Sequence, residues 1–216
     1  MVCKLQFLYF IAAFVCLLEG CGSNRQDQDD CKNGTPERSI VACTRILNRA
    51  IAGKQEPLVD YSEVYRNRGN SYRHTNQTDL ALKDFSTAIL LNPQSALAYD
   101  ERGRTYTENG LKSYTYPLAI KDFSEVIRLD PNDANAYVTR GWAYLEFDKA
   151  EMALPDAMHA VELDPKDANT YDLRARVYDA LNQKNLAIAD FRKSLAIDAN
   201  RPENTKRLLE LLGITP

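Results

Sequence analysis

The sequence predicts an all-α fold, a solenoid of four helical hairpins, and three observations carry that prediction. A block with tyrosine, arginine and a small residue recurs as YRNRGNSY, YDERGRTY, YVTRGWAY and YDLRARVY, at steps of 34, 38 and 34 residues. Within each unit, apolar residues recur at spacings of three and four, which indicates amphipathic helices. An Asn-Pro or Asp-Pro pair ends the second helix of the first three units, because proline disfavours helix in the residue before it. A repeat of this period predicts stacked units with one continuous core.

Residues 1–22 differ from the rest of the chain and have the pattern of an export signal. A single Lys4 precedes an apolar run that is too short to span a bilayer comfortably, and small residues follow it. The stretch LEGC resembles the signal of bacterial lipoproteins, in which the cysteine, here Cys21, is lipidated, although Glu19 departs from that pattern. We therefore expect an exported chain, anchored in the cell envelope by a lipid on Cys21 and facing the periplasm. Cleavage after Gly22, which gives a soluble periplasmic or secreted chain, is the alternative.

Cys31 and Cys43 are the cysteines downstream of Cys21, and an even pair in an oxidising compartment favours a disulfide. A metal site would need about four ligands, and the chain has only 2 histidines. Two unpaired thiols are the alternative. The polar residues 23–35 are expected to form a flexible tether, and 36–61 a lone N-terminal half-repeat helix with its linker.

The hairpin units carry a small residue in each helix, which lets the two helix backbones approach closely. In the first helices these residues are Gly69, Gly103, Gly141 and Ala175, and in the second helices Ala81, Ala119, Ala153 and Ala187. The four units span 62–95, 96–133, 134–167 and 168–201. The segment 202–216 is expected to form the polar-faced capping helix that the end of a solenoid needs.

The repeated unit resembles the tetratricopeptide repeat (TPR) family. The residues of the first unit that match the 34-residue signature of that family are Tyr65, Gly69, Tyr72, Ala81, Phe85, Ala88 and Pro93. The resemblance covers about 62–201 and implies a right-handed superhelical solenoid whose first helices line a concave groove. It also implies that the groove binds a peptide or a segment of a partner protein.

Departures from the family pattern predict where the array is irregular. Four extra residues in NGLKSYTYP of the second unit are expected to bulge and to display Tyr114 and Tyr116. The third unit has Ala157 where phenylalanine is expected, and Pro155 is expected to kink its second helix on the outer face. Upstream, SIVACTRIL resembles a lone second helix with Cys43 at the phenylalanine position, and it is expected to cover the open end of the first unit.

An arginine and an aspartate recur in every unit, although close backbone packing requires neither. We expect each arginine to pair with an aspartate across its hairpin, or with one of the next hairpin; solvated surface charges are the alternative. Desolvation can offset the Coulomb attraction of such a buried pair, although removal of one partner is costly. The residues are Arg68 and Asp84, Arg102 and Asp122, Arg140 and Asp156, and Arg174 and Asp190.

No pattern of catalytic or cofactor chemistry occurs in the sequence. It contains no phosphate-binding glycine loop, HExxH, CxxC pair or nucleophile elbow, so we expect no enzyme activity, cofactor, metal or small-molecule substrate. A net charge of -3 with interspersed signs offers no basic stripe for nucleic acid. The predicted function is a protein-binding adaptor that holds other envelope proteins together. The alternative is a structural subunit buried permanently in a larger envelope assembly.

The family resemblance assigns groove positions in each unit, and those of the third unit are largely apolar. A partner segment is expected to place an apolar side chain on Val138, Trp142 and Leu145, while Arg104 and Arg176 engage its acidic groups. Tryptophan and arginine are common energetic anchors of interfaces. The alternative is that Trp142 packs sideways against the adjacent first helix. In the fourth unit the same positions hold Asn169, Asp172, Arg176 and Asp179.

One subset of the family grips the C-terminal carboxylate of chaperones with basic and asparagine residues at five groove positions. Here Arg66 and Asn70 fit that pattern, but Asn135 and Thr139 do not, and Glu101 would repel a carboxylate. We therefore expect Arg66 and Asn70 to belong to the groove without forming a chaperone clamp.

Overall fold

The computed structural model describes residues 24–54, 58–108 and 112–214, and the regular secondary structure of these ranges is entirely α-helical. The predicted all-α fold is confirmed, while the expected export signal and Cys21 lie outside the described residues. In chain order the helices are α1 (24–33), α2 (Pro36–Ile51), α3 (Tyr61–His74), α4 (Thr78–Leu91), α5 (Ala96–Glu108), α6 (Lys112–Leu129), α7 (Ala134–Glu146), α8 (Ala150–Leu163), α9 (Ala168–Ala180), α10 (Lys184–Ile197) and α11 (Pro202–Leu212). None of the helices in these ranges is both long enough and apolar enough to cross a bilayer.

Side-chain caps and left-handed turns fix where the helices of a hairpin begin and end. The aspartates before α3, α7 and α9 each accept a hydrogen bond from the backbone N–H two residues further on, at 2.8–2.9 Å. Three first helices end in a turn that contains a residue with φ between 56° and 59°, in the left-handed region that Asn and Asp tolerate. These turn residues are Asn76, Asp148 and Asn182. The turn folds each second helix back beside its first helix.

The chain divides into two compact units, one up to residue 98 and one from residue 99. The N-terminal unit begins with an antiparallel hairpin of α1 and α2. Arg49 of α2 donates to Asp27 of α1 at 2.6 Å, and the sulfur atoms of Cys31 and Cys43 lie 2.11 Å apart. That separation is the length of a disulfide bond, in the pairing expected from the sequence.

The prediction of a flexible tether over 23–35 is wrong for residues 24–33, which form α1. Asp27 and Cys31 stand four residues apart and therefore share one face of a helix. Both are buried against α2. The largely polar sequence of α1 therefore contains one helix face that packs against α2. As a result α2 is half of a complete hairpin rather than the expected lone helix.

The hairpin of α1 and α2 shares a core with the first helix of the next hairpin. Cys43, Ile46 and Leu47 of α2 form a buried cluster with Val64 of α3. Cys43 thus occupies the interior place where the repeats carry phenylalanine, as the sequence predicts. The helix α2 covers a side of α3 that would otherwise be open to solvent.

Glycine in α3 is required by the phenylalanine of α4. A Cβ atom added to Gly69 would lie 2.9 Å from Cε1 of Phe85, closer than two carbons normally approach. Phe85 is fully buried, so its ring has little room to withdraw. The Gly-Phe pair therefore sets the close approach of α3 and α4.

The C-terminal unit contains the hairpins α5–α6, α7–α8 and α9–α10, followed by α11. The four extra residues of the second unit lengthen α6 to 18 residues, against 14 in α4, and add a helical turn ahead of Pro117. The expected bulge is therefore wrong. Tyr114 is displayed, with 73% of its surface exposed, but Tyr116 is only 6% exposed. Tyr116 packs in a cluster with Phe123 and Ala143 instead, because the added turn points it at α7.

The missing phenylalanine of the third unit is replaced from the next hairpin. Ala157 leaves space beside Gly141 that Leu173 of α9 fills, so that a Cβ atom added to Gly141 would lie 2.6 Å from Cδ2 of Leu173. The helix α8 continues through Pro155, which is exposed. The core of this unit is thus continuous across its hairpins.

The helix α11 closes the C-terminal unit with an amphipathic face. Leu208 and Leu211 pack against Ala175 of α9 and Phe191 of α10. Gly213 ends the helix with a φ of 74°, a left-handed conformation that glycine adopts without strain. The segment thus caps the C-terminal unit as its amphipathic pattern predicts.

Candidate functional site

The arginine of each repeated block binds the aspartate of the same hairpin through two hydrogen bonds. Nε and Nη2 of the arginine donate to the two carboxylate oxygens at 2.7–2.9 Å in every hairpin from α3–α4 to α9–α10. The aspartates are buried, so these residues are not solvated surface charges. The pairs are Arg68 with Asp84, Arg102 with Asp122, Arg140 with Asp156, and Arg174 with Asp190.

Burial opposes the charges of the Arg102–Asp122 pair. The pKa of Asp122 is raised because desolvation of its carboxylate outweighs the hydrogen bonds and Coulomb attraction from Arg102. Desolvation also opposes the charge of Arg102, but the hydrogen bonds and attraction of Asp122 raise the pKa of the guanidinium. The carboxylate is the more buried partner, so most of the desolvation cost falls on Asp122.

Two of these arginines also reach the hairpin that precedes them. Nη1 of Arg68 donates to Thr44 Oγ1 at 3.1 Å, and Nη1 of Arg140 donates to Ser124 Oγ at 3.0 Å. Two tyrosine rings of the same block lie 5.5 and 5.7 Å from the Arg68 guanidinium, within cation–π range. The repeated arginine therefore joins helices to one another, which makes its recurrence structural.

A cavity of about 520 Å³ opens among the first helices of the C-terminal unit. Tyr116 and Phe123 of α6 and Val138 and Trp142 of α7 supply apolar lining, and Arg104 of α5 adds a guanidinium. The remaining lining residues are Thr107, Glu108, Asn135, Thr139, Ala143, Glu146 and Asn169. The arrangement offers an apolar recess surrounded by hydrogen-bonding groups.

A second cavity, of about 270 Å³, shares Trp142 and Glu146 with the first. Leu145 of α7, Arg176 of α9 and Arg207 of α11 also line it. The Arg176 guanidinium carbon lies 5.6 Å from the centre of the Trp142 ring, a cation–π contact. Trp142 therefore contributes surface to both cavities.

The structure gathers Arg104, Val138, Trp142, Leu145 and Arg176 around these cavities, but two of the apolar residues differ from the expectation. Val138 is only 6% exposed and belongs to a core cluster. Trp142 is half-buried against that cluster and contacts α9 through Arg176. The sideways packing that was the alternative for Trp142 is thus present, and the ring still lines both cavities.

Neither flanking arginine is an unpaired cation. Arg104 donates from Nε to Asp100 at 2.7 Å, and Arg176 donates from Nε to Asp172 at 2.9 Å. Arg176 Nη2 also donates to Asn204 at 3.0 Å. The expected contact with acidic groups of a partner would require each arginine to release an aspartate that it already binds.

Residues at and beyond the end of α10 cover the groove positions of the fourth unit. Arg201 donates to Asn169 at 2.9 Å, and Arg207 of α11 binds Asp179 with hydrogen bonds of 2.6 and 2.9 Å. The sequence identifies a capping helix, but no signal in it shows that Arg201 and Arg207 reach these positions. The exposed groove of this unit is therefore bounded by α11.

Arg66 and Asn70 lie in the N-terminal unit and make short-range contacts there. Nη2 of Arg66 lies 4.0 Å from the Glu63 carboxylate, and Asn70 accepts a hydrogen bond from Arg73 at 3.0 Å. A cavity of about 170 Å³ in that unit, beside Ile46, is lined by neither residue. Both of these predicted groove residues thus contact neighbours on their own helix, α3.

Comparison with known families assigns the hairpins α3–α4, α7–α8 and α9–α10. A family model described as tetratricopeptide repeat matches residues 62–95, and a second model with the same description matches 134–167 and 168–201. No curated protein matches the chain.

Solved structures share the fold. A crystal structure of MamA is 18% identical with a TM-score of 0.68, covering 82% of this chain and 96% of that one. MamA residues 41 to the end from Desulfovibrio magneticus RS-1 are 22% identical with a TM-score of 0.64, covering 71% and 85%. The first TPR domain of Spaghetti (RPAP3), bound to the HSP90 peptide SRMEEVD, is 27% identical with a TM-score of 0.52, covering 56% and 92%.

Proposed function

Because the chain is a tetratricopeptide-repeat protein, we propose that it is a non-enzymatic adaptor of the bacterial cell envelope whose C-terminal unit binds a segment of a partner protein. Domains of this family bind proteins or peptides, as the RPAP3 domain binds its HSP90 peptide. The observation that carries the proposal is the cavity of about 520 Å³ with Trp142 on its wall.

The cavity suits an apolar side chain that is presented by a backbone with polar groups. Its volume falls within the range of about 300–1,000 Å³ typical of ligand sites. Tyr116, Phe123 and Trp142 offer aromatic surface, while the amides of Asn135 and Asn169 offer donors and acceptors. Half-buried Trp142 is the residue best placed to anchor the partner, since tryptophan is enriched among the dominant residues of interfaces.

Export and a lipid on Cys21 complete the proposal. A disulfide between Cys31 and Cys43 fits export, because such bonds persist in oxidising compartments. Since α1 is already helical at residue 24, only three residue steps separate it from Cys21, a reach of at most about 11 Å. A lipid there would hold the N-terminal unit at the membrane surface.

Lipidation is tested by labelling cells with a fatty acid analogue. Cys21→Ser should abolish incorporation of the label and leave an unprocessed precursor. A mature chain that begins at Ser23 would refute the lipid anchor and favour the soluble periplasmic alternative.

Partner binding is tested by affinity capture with the wild-type chain and Trp142→Ala, followed by a binding titration with the captured partner. The substitution should cost about 2 kcal/mol or more in binding with helical content unchanged. Tyr114→Ala is the matched control, because Tyr114 is an exposed aromatic residue that lines neither cavity. Equal affinities for the wild type and Trp142→Ala would refute the proposed site.

The salt dependence of the complex separates the adaptor from the structural-subunit alternative. An adaptor should exchange its partner and release it as salt rises, because the polar lining includes charged groups. A stoichiometric complex that survives high salt and never exchanges would favour the permanent subunit.

A further inference from the structure

The guanidinium of Arg176 is held by two hydrogen bonds and lies against two aromatic rings. Nε donates to Asp172 of the same helix at 2.9 Å, and Nη2 donates to Asn204 of α11 at 3.0 Å. The guanidinium carbon lies 5.6 Å from the centre of the Trp142 ring and 6.0 Å from that of Phe191. A planar guanidinium that donates to two fixed acceptors has little freedom to rotate. Arg176 therefore forms a fixed neighbour of the Trp142 ring.

Asn204 joins Arg176 to α11 and is itself held in place. Its side chain is buried, at 2% exposure, and Nδ2 donates to Ser194 Oγ of α10 at 3.2 Å. The Ser194 hydroxyl donates in turn to the carbonyl of Ala168 in α9 at 3.0 Å. A buried amide that is hydrogen-bonded at both ends has one favoured orientation, because leaving either end unpaired is costly. The position of Arg176 thus depends on a helix that follows the four repeats.

The Trp142 ring is placed to respond to Arg176. It is half-buried, packs against a core cluster and lines both cavities, while Arg176 lines the smaller cavity beside it. An aromatic side chain that is already immobilised loses less conformational entropy when a partner binds to it. The described lining of the larger cavity comes from α5, α6, α7 and α9, so α11 would act on that cavity indirectly, through Arg176 and the ring.

We infer that Asn204 is a positioning residue of the binding site, and that α11 thereby controls the affinity of that site. The inference rests on the proposed function, because the ring that Asn204 positions is the proposed anchor of the partner segment. By holding Arg176, Asn204 keeps Trp142 in the orientation in which it lines both cavities. The ring then need not be ordered when the partner arrives. The terminal helix is a part of the binding site as well as a cap.

Quenching of tryptophan fluorescence by acrylamide tests the inference in the folded full chain, because Trp142 is its only tryptophan. Asn204→Leu removes the acceptor of Arg176 with little change in shape, and should raise the quenching constant as the guanidinium loosens on the ring. Asn204→Asp retains an oxygen that accepts from Arg176 and should stay near the wild-type value. Thr205→Ala is the matched control, since this exposed neighbour donates to the Arg201 carbonyl at 3.2 Å; it should leave the constant unchanged.

Arg176→Leu separates positioning from a merely structural role of Asn204. It should also raise the quenching constant, and adding Asn204→Leu to it should raise the constant no further, because Asn204 acts through Arg176. A merely structural role would lower the free energy of unfolding and leave the quenching constant of the folded protein unchanged. An unchanged constant in Asn204→Leu, or a further rise in the double variant, overturns the inference. If Asn204→Leu does not fold, an unchanged constant in Arg176→Leu overturns it.

The affinity for the partner captured by the wild-type chain distinguishes failure of this inference from failure of the proposed function. Asn204→Leu should weaken binding about two- to tenfold, the ordering cost of one side chain, and Asn204→Asp should bind nearly as the wild type does. If Trp142→Ala weakens binding but Asn204→Leu does not, the inference is overturned and the proposed site stands. If Trp142→Ala leaves the affinity unchanged, the proposed site is refuted, whatever the quenching constants show.

Discussion

Removal of Arg102 tests whether the repeated arginine protects a buried carboxylate. Arg102 and Asp122 join α5 to α6 through two hydrogen bonds of 2.8 Å. The Asp122 side chain is 4% exposed and that of Arg102 is 19% exposed. Arg102→Ala leaves the carboxylate buried without its partner, whereas Asp122→Ala leaves a guanidinium that still has access to water.

The different burial of Arg102 and Asp122 determines how much unfolding free energy each substitution should remove. Loss of one partner of a buried pair costs about 3–5 kcal/mol, and Arg102→Ala should lie in that range. Asp122→Ala should cost less, because its remaining partner is the more exposed one. The double variant should cost less than the sum of the two, with a coupling energy of about 1–3 kcal/mol for groups in direct contact.

The cost of Arg102→Ala should depend on pH. Desolvation already raises the pKa of Asp122 above its ordinary value of 3.8, and loss of the guanidinium raises that pKa further. A carboxyl group whose folded pKa is raised favours folding in its protonated form, so the variant loses stability as pH rises from 3.8 through the folded pKa. The deficit relative to wild type should therefore be smaller near pH 4 than at pH 7.

Urea unfolding of the wild type, the two single variants and the double variant, followed by circular dichroism, measures these free energies of unfolding. The comparison requires that the free energy depends equally steeply on urea concentration in all four proteins. Arg128 and Glu125 are the matched control, because they also lie 2.8 Å apart but both are more exposed, and their cycle should show no measurable coupling. Additive costs for Arg102→Ala and Asp122→Ala, with no change between pH 4 and pH 7, would refute the argument.

The remaining predictions concern a disulfide, a helix cap and a close approach. Replacement of Cys31 and Cys43 by serine should lower the free energy of unfolding by about 2–3 kcal/mol, from the loop that the bridge closes; two freely alkylated thiols in the native protein would contradict the bridge. Asp60→Ala should cost about 1 kcal/mol at neutral pH. The hydrogen bond from the Ser62 hydroxyl is the main factor that lowers the pKa of Asp60 from 3.8, so this stabilisation is present above pH 3.8 and is lost as pH falls through the folded pKa; a cost that persists at pH 2 would exclude the carboxylate cap. Gly103→Ala should destabilise by about 1–3 kcal/mol, since its Cβ would lie 2.6 Å from the Phe123 ring; thermal unfolding should show partial rescue in the double variant with Phe123→Leu, and failure of that rescue would exclude the ring clash.

The sequence by itself determined the repeats and the contacts that recur with them. The spacing of Gly69 and Phe85 and the pairing of Arg68 with Asp84 follow from local periodicity and from the hairpin that it implies, whereas the pairing of Cys31 with Cys43 follows from the number of cysteines downstream of Cys21. Each of these contacts joins neighbouring helices. Within a hairpin each side chain has few possible partners, so the residue types alone identify which residues are in contact.

Only the tertiary structure decided the contacts for which several partners compete. Leu173 fills the space beside Gly141 from another hairpin, and Tyr116 is buried because an added turn of α6 points it inward. Arg176 is held by Asp172 and Asn204 while it covers one part of Trp142. A long charged side chain can bind any carboxylate, amide or aromatic ring within its reach. Which of these is close enough depends on how the hairpins stack on one another. The sequence could therefore name the groove residues, but not the contacts that already hold Arg176 beside Trp142.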